Sequence, residues 1–481
     1  MERLNKFIST YILPYILLVA GAIAIIAISP IAGGMMSGTV AMLPPALLVL
    51  IFLYKNPKAN YFVLFVINYT LMGISRYVPN VIPMGTIMDA YMMFILLTLL
   101  IQNLYKKIEW RNSLNLLTIL ALTWALYCIS LRWGPEAISG MAWFTAIRGV
   151  AMYFLMIVIL VPVIFNSNKD LRNLLILWGI LIILAGIKTY SQKNFGFDTY
   201  EWRWLMQGGA NTHIISTGIR YFSFFTDAAN FGTGMAFSML IYSIIAFFEE
   251  NKYLKLFYIL VTILACYGMM QSGTRTAIAV PFVGYAVYVV LSKNVKVIVI
   301  LSMIIAFFFF FFKYTYIGQG NAEIRRMRSA FNPNDASKVL REQNQALFKV
   351  YLQDKPFGVG IGHSGRKGKE YVPNSYIATI ATDSWYVFLW VETGIVGLIL
   401  YLSIMITCIL YGCYLVFFRL KDRKLRAMIA AFIGAISGLL LASSNNEVFA
   451  QFPNGIIVYT LLAFIFMSPK LDKQIADGKE G

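Results

Sequence analysis

Apolar runs of helix length, separated by short polar clusters, recur from one end of the chain to the other. The first, near residues 10–29, carries no charge and is long enough to cross a bilayer, which takes roughly 20 apolar residues in a helix. On that scale the pattern predicts spans near 10–29, 38–54, 59–75, 84–104, 113–130, 141–165, 171–189, 228–248, 253–270, 275–291, 296–312, 386–417, 427–442 and 454–469. The expected fold is an all-α polytopic membrane protein of about 14 transmembrane helices (12–14), forming a single transmembrane domain over 1–481. No small-residue cleavage site follows the first run, so it reads as a span and not as a removable signal.

Two longer polar stretches interrupt the series, 190–227 and 313–385. Within the second, ASKVLREQNQALFKVYLQ (336–353) has helical period, with Val339, Leu340, Leu347, Val350 and Tyr351 on one face and Asp335 placed to cap it. An amphipathic helix of this kind lies at the membrane interface or covers a cavity. DKPFGVGIGHSG (354–365) follows, with Gly358, Gly360 and Gly362 alternating. Glycine permits tight turns and close backbone approach to a ligand, so a phosphate cradle is one reading of the turn. No clear helix comes after it, and a dinucleotide-binding fold is not indicated.

Composition removes the soluble alternatives: 59% of residues are hydrophobic and 13% charged, where a soluble domain has about 25% charged. The formal charge of +18 would suit a nucleic acid, yet much of it is topology signal. With the N-terminus inside, the inner segments hold 21 lysines and arginines, while the short outer loops hold only Arg76, Arg132 and Arg275. Both termini are then cytoplasmic, and both long polar stretches face outward. Between Lys313 and Asp383 stand eleven basic residues against six acidic ones. A cationic surface on the outer face suits a phospholipid headgroup or a lipid-linked diphosphate, not nucleic acid. Cys128, Cys266, Cys408 and Cys413 all fall in apolar runs without metal-ligand or disulfide spacing.

Three stretches carry a family likeness. RYFSFFTDAANFG (220–232) contains an arginine followed by an Asn/Gly segment that opens a helix. SGTRTA (272–277) places Arg275 at a tight turn. LREQNQALFKVYLQDKPFGVGIG (340–362), then DSWYVFLWVETGIVG (383–397), combine an arginine, a Pro-x-Gly-x-Gly loop and a closing motif with Gly394 and Gly397 in register. In order and spacing these resemble the O-antigen ligase and polymerase superfamily over about 215–415. The resemblance implies a metal-independent, cofactor-free bacterial inner-membrane glycosyltransferase with its active site facing outward. Its donor would be a polyprenyl-diphosphate-linked glycan and its acceptor a second lipid-linked repeat or lipid A-core. The family motif opens with His-Asn where this chain has Asp383 and Ser384, a departure that leans toward the polymerase-like members.

Glycosyl transfer from a diphosphate carrier requires a base for the acceptor hydroxyl and cations for the leaving group. Asp383 could act as the base, or cap the helix behind it. Arg275 and Arg220 could hold the diphosphate, since guanidiniums bind it bidentately and stay charged. Arg275 could instead anchor headgroups, and Arg220 could pair with Asp227. Arg341 on the amphipathic helix, and His363 as a second base, are further substrate-binding candidates. Arg148 within the sixth span has Asp89 as its natural partner, because intramembrane charges pair or face a cavity. Glu392 is expected against one of the arginines. Asn445, Asn446 and Glu447 in the last outer loop are candidates for sugar contact. Orientation came from inner basic residues outside every motif, yet Arg220, Arg275, Arg341 and Asp383 all fall on the outer side. The competing class is a lipid-oligosaccharide flippase, which should show internal repeats that are not evident here.

Overall fold

The computed structural model describes residues 45–78, 84–215, 218–293, 295–331 and 336–478. Among them, ten helices are long and apolar enough to cross a membrane: Met84–Tyr105, Leu116–Trp133, Gly140–Ile164, Asn168–Phe195, Ala228–Phe248, Lys252–Gln271, Arg275–Ser292, Trp385–Arg419, Arg423–Ala442 and Asn454–Ala476. Each overlies a predicted span, and the chain is an all-α polytopic membrane protein. The other four expectations fare differently. The span at 10–29, like the cap at Asp335, lies outside the described residues. The described part of 38–54 is the short helix Pro45–Lys55, and 296–312 yields the apolar but short Ile298–Tyr314. At 59–75 stands Pro57–Ile74, where Lys58, Asn60 and Asn68 dilute the apolar character.

The chain divides into two compact units. One comprises Met1–Leu64 with Met93–Lys107, and the other Phe65–Met92 with Ile108–Gly481. The second contains every residue of the site described below. Its centre is Ala228–Phe248, which packs on Lys252–Gln271 and Arg423–Ala442, while Asn454–Ala476 packs on Tyr153–Ile164. Hydrophobicity cannot drive helices together in lipid, so close packing must. Gly434 and Gly438, four residues apart, supply it: a Cβ on Gly434 would stand 2.5 Å from the Gly284 carbonyl oxygen, and one on Gly438 would stand 2.3 Å from that of Val280.

The two polar stretches are not open loops. The first contains Thr199–Trp204, a π-turn at Leu205–Gly209, Ala210–His213, and a two-stranded antiparallel ribbon pairing Ile214–Ile215 with Gly218–Ile219. The second contains Ala322–Arg328, Ala336–Tyr351, Gly365–Tyr371 and Tyr376–Thr379. The amphipathic helix is present, but its packing side is offset from the expected one. Phe348 and Leu352 are buried with Val359, Ile377, Ile380, Val387 and Val391. Val339, Leu340, Leu347 and Val350 remain exposed. In a membrane protein an apolar stripe also suits lipid, so periodicity alone does not distinguish inward from outward.

Candidate active site

The glycine turn is held by a break in the helix behind it. Trp385–Tyr414 is interrupted at Gly394, where φ is 71° and ψ −179°. The break releases carbonyls that a continuous helix would use. Val359 N–H donates to Val391 O at 2.9 Å, Gly360 N–H to Glu392 O at 3.1 Å, and Val396 N–H to Pro356 O at 3.3 Å. Gly358 has φ of 76°, and a Cβ there would stand 2.5 Å from Gly394 N, so only glycine allows the approach. The turn therefore spends its amides inside the protein and is not a phosphate cradle.

Glu392 is fully buried and, contrary to expectation, meets no arginine. Its carboxylate accepts from Gly362 N–H at 2.9 Å, Ser364 N–H at 3.2 Å and Ser364 Oγ at 2.8 Å. Three donors converge on its two oxygens, so amides and a hydroxyl, and no arginine, hold this side chain. His363 is also committed. Ser139 N–H donates to Nε2 at 3.0 Å, which leaves Nδ1 to carry the proton toward Ile361 O at 3.1 Å. Glu392→Gln should cost about 2 kcal/mol, because its amide would face buried donors. A lower melting temperature in detergent, with the transmembrane helix content retained, checks this.

Three consecutive residues of the last loop collect the separate motifs. Asn445 Oδ1 accepts from Arg341 at 3.0 Å. Asn446 Nδ2 donates to Thr276 Oγ1, next to Arg275, and Glu447 Oε1 accepts from Thr382 Oγ1, next to Asp383. The start of Trp385–Tyr414 is tied to the same loop by Trp385 N–H, which donates to Ser443 O at 3.0 Å. Ser384 caps this helix through Val387 N–H, so Asp383 is not the cap. Asp383 is exposed, with φ of 48°, in the left-handed region that Asp and Asn tolerate best among side-chain-bearing residues.

Arg220, Arg275 and a third arginine, Arg326, gather beside this loop. Arg220 donates to Thr212 O at 3.1 Å and Thr274 Oγ1 at 3.1 Å, and not to Asp227. Asp227 instead caps Ala228–Phe248 through Ala229 and Asn230 N–H, with His213 Nε2 accepting from Ala228 N–H at 3.1 Å. Arg275 NH1 donates to Ser329 Oγ at 3.4 Å. Burial, with Arg220 and Arg275 alongside, pushes Arg326 down to about 10. Arg326 packs over Gly273, where a Cβ would stand 2.8 Å from its NH1. Guanidiniums that act on one another in this way make the local potential positive.

Glu447 also lines a cavity of about 1050 Å³, whose wall includes Arg76, Arg148, Arg203, Arg366 and Lys367. Arg148 pairs with Asp89 as expected, and Tyr153 OH donates to the other Asp89 oxygen at 2.7 Å. Arg148 begins a π-turn, Arg148–Met152, within its span. Such turns are frequent at functional sites. Arg76 is spent on structure: it donates to Ser223 O at 2.9 Å and to Phe225 O, and lies over the Trp204 and Phe222 rings.

Burial pushes the Glu447 carboxyl up to about 7; the Thr382 hydroxyl opposes this and Asp383 and Asp227 add to it. Folded Glu447 thus keeps its proton to about pH 7, while the unfolded chain releases it near 4.5. Between those values the folded state binds more protons, so this group makes stability fall as pH rises. His213 and His363, both held below the ordinary imidazole value by burial, act in the opposite sense. The difference in melting temperature between wild type and Glu447→Gln isolates the carboxyl. It should shift against the wild type from pH 5 to pH 7.5.

One stretch of the chain carries a family match. Residues 260–402 match the O-antigen ligase family. No curated protein matches the chain. The match lies within the 215–415 stretch and bears out the resemblance to the ligase and polymerase superfamily. The O-antigen ligase segment contains Arg275, Arg326, Arg341, the glycine turn, Asp383 and Glu392, while Arg220, Asp89, Arg148 and Glu447 lie outside it. Around residues 445–447 the fold brings together Arg341, the Arg275 turn and the Asp383 turn. Arg148, paired with Asp89, lines the cavity, and His363 and Glu392 brace the glycine turn. Sequence reasoning missed Arg326, one of three arginines in AEIRRMR, and gave Glu447 a sugar contact only.

Proposed function

We propose that this membrane protein of ligase or polymerase type joins a polyprenyl-diphosphate-linked glycan to a sugar acceptor at the outer face of a bacterial inner membrane. The observation that carries the reading is the convergence of Arg341, Thr276 and Thr382 on Asn445, Asn446 and Glu447. Asp383 and Glu447 in this reading serve the same reaction centre as the cluster of Arg220, Arg275 and Arg326. In this reading the acceptor hydroxyl oxygen attacks the anomeric carbon as its proton passes to Asp383. The bond from that carbon to the diphosphate oxygen breaks, and its electron pair leaves on the diphosphate. The guanidiniums stabilise the charge that develops there. Glu447, protonated or charged according to pH, tunes the field at Asp383.

Every loop that lines this end of the second unit is one that the lysine and arginine pattern assigns to the outside, which supports an outward-facing site. The test is complementation of a strain lacking the gene. Loss of a polymerase leaves single repeats, whereas loss of a ligase leaves long chains on the carrier, and the Asp383 departure favours the first outcome. Substrate movement across vesicles without a new glycosidic bond would overturn the transferase reading.

A further inference from the structure

The cavity and the arginine cluster are chemically different. The cluster presents guanidiniums and short hydroxyls. The cavity adds Tyr77, Tyr200 and Trp204 and the amides of Gln207 and Gln451 to its cations. Aromatic faces and amides are what a pyranose needs, the ring carbons packing on one and the hydroxyls bonding to the other. A volume of about 1050 Å³ holds several sugar rings, at the upper end of the range for small-molecule sites.

Charge completes the picture. With Arg148 neutralised by Asp89 and Arg76 engaged with carbonyls, Arg203, Arg366 and Lys367 remain on the wall. Arg203 and Arg366 are exposed and form no ion pair among the described residues. Burial lowers the Lys367 ammonium, Glu370 opposes that, and Arg148 and Arg366 reinforce it. Such a wall repels a further cation and rewards an anion. Among the described residues, Glu447 is the one acid on this wall.

We propose that the cavity is a saccharide subsite selective for a glycan that carries its own negative charge, separate from the cluster that takes the diphosphate. The assignment of this glycan as substrate rests on the transferase reading, whereas its binding does not. The negative group is a carboxylate on the glycan itself, and the pyrophosphate probe tests the alternative, the diphosphate of a carrier lipid.

The full chain in detergent is titrated by calorimetry at low salt with tetragalacturonate, neutral maltotetraose and inorganic pyrophosphate. Tetragalacturonate should bind at least about tenfold tighter than maltotetraose, and should weaken by about tenfold in Arg366→Gln/Lys367→Gln, the scale of a lost charged hydrogen bond. Arg203→Gln should act in the same direction, while Arg326→Ala leaves tetragalacturonate unchanged and weakens pyrophosphate. These side chains lie on the cavity wall, so melting temperatures should hold. Equal binding of the neutral sugar, or tetragalacturonate binding indifferent to residues 203, 366 and 367, overturns the proposal. So does pyrophosphate that depends on 366 and 367 in place of 326, which would make the cavity the diphosphate site. Intact acidic-glycan binding in a protein that transfers nothing would instead sink the transferase reading and leave the subsite standing.

Discussion

Arg326→Ala is expected to lower glycan transfer about 100-fold, on the scale of removing one preorganised donor from developing charge, while leaving the melting temperature unchanged or raised. The two halves of this expectation have one cause. Burial first, and then the two like charges beside it, depress the pKa of Arg326, an arrangement that costs the empty protein stability. Removing one guanidinium relieves the repulsion and, in the proposed transfer, also removes a contact to the leaving diphosphate. A purely structural arginine would lose stability first. Exposed Arg325, its neighbour in the same helix, provides the control: Arg325→Ala should change neither quantity. Arg326→Lys keeps the charge but not the bidentate fork, so it should recover only part of the rate. Transfer measured with purified carrier-linked donor, alongside thermal melting, separates these outcomes.

Asp383→Asn should reduce kcat by roughly 100-fold to 10,000-fold, the usual contribution of a positioned general base, with little change in KM. The substitution is clean for a backbone reason. Asp383 sits at φ of 48°, a conformation that Asn adopts as readily as Asp, and the helix cap belongs to Ser384. Folding should therefore be unaffected, whereas Asp383→Ala would add strain. A second readout distinguishes proximity from accident. Asp383 is among the charges that raise the Glu447 carboxyl. In Asp383→Asn that carboxyl should fall back toward its ordinary value, and the fall in stability between pH 5 and pH 7.5 should shrink. Full activity in Asp383→Asn would remove it from the chemistry.

Much of the fold was legible because a bilayer leaves few solutions. Apolar runs of sufficient length become helices, and the ten clearest did so. The pairing of Arg148 with Asp89 was legible for the same reason, since two charges at one depth in lipid must meet. What stayed hidden depended on where backbone groups go. Nothing in the spacing of Gly358, Gly360 and Gly362 says that their turn docks on the broken helix at Gly394. Without that contact, Glu392 looks like an acid in want of an arginine. Its real partners are amides, which every sequence has. Arg326 was hidden among Arg325 and Arg328, and the nearest signal was the glycine in SGTRTA, whose missing side chain makes room for it.

The last loop addresses three different motifs with three adjacent side chains. Its length is consequently a more stringent requirement than its chemistry. A change of residue at 445, 446 or 447 removes one tether and leaves two. An insertion or deletion of a single residue moves all three out of phase at once, and pulls apart the arginine turn, the amphipathic helix and the Asp383 turn together. In a collection of related chains this loop should vary in letters before it varies in length.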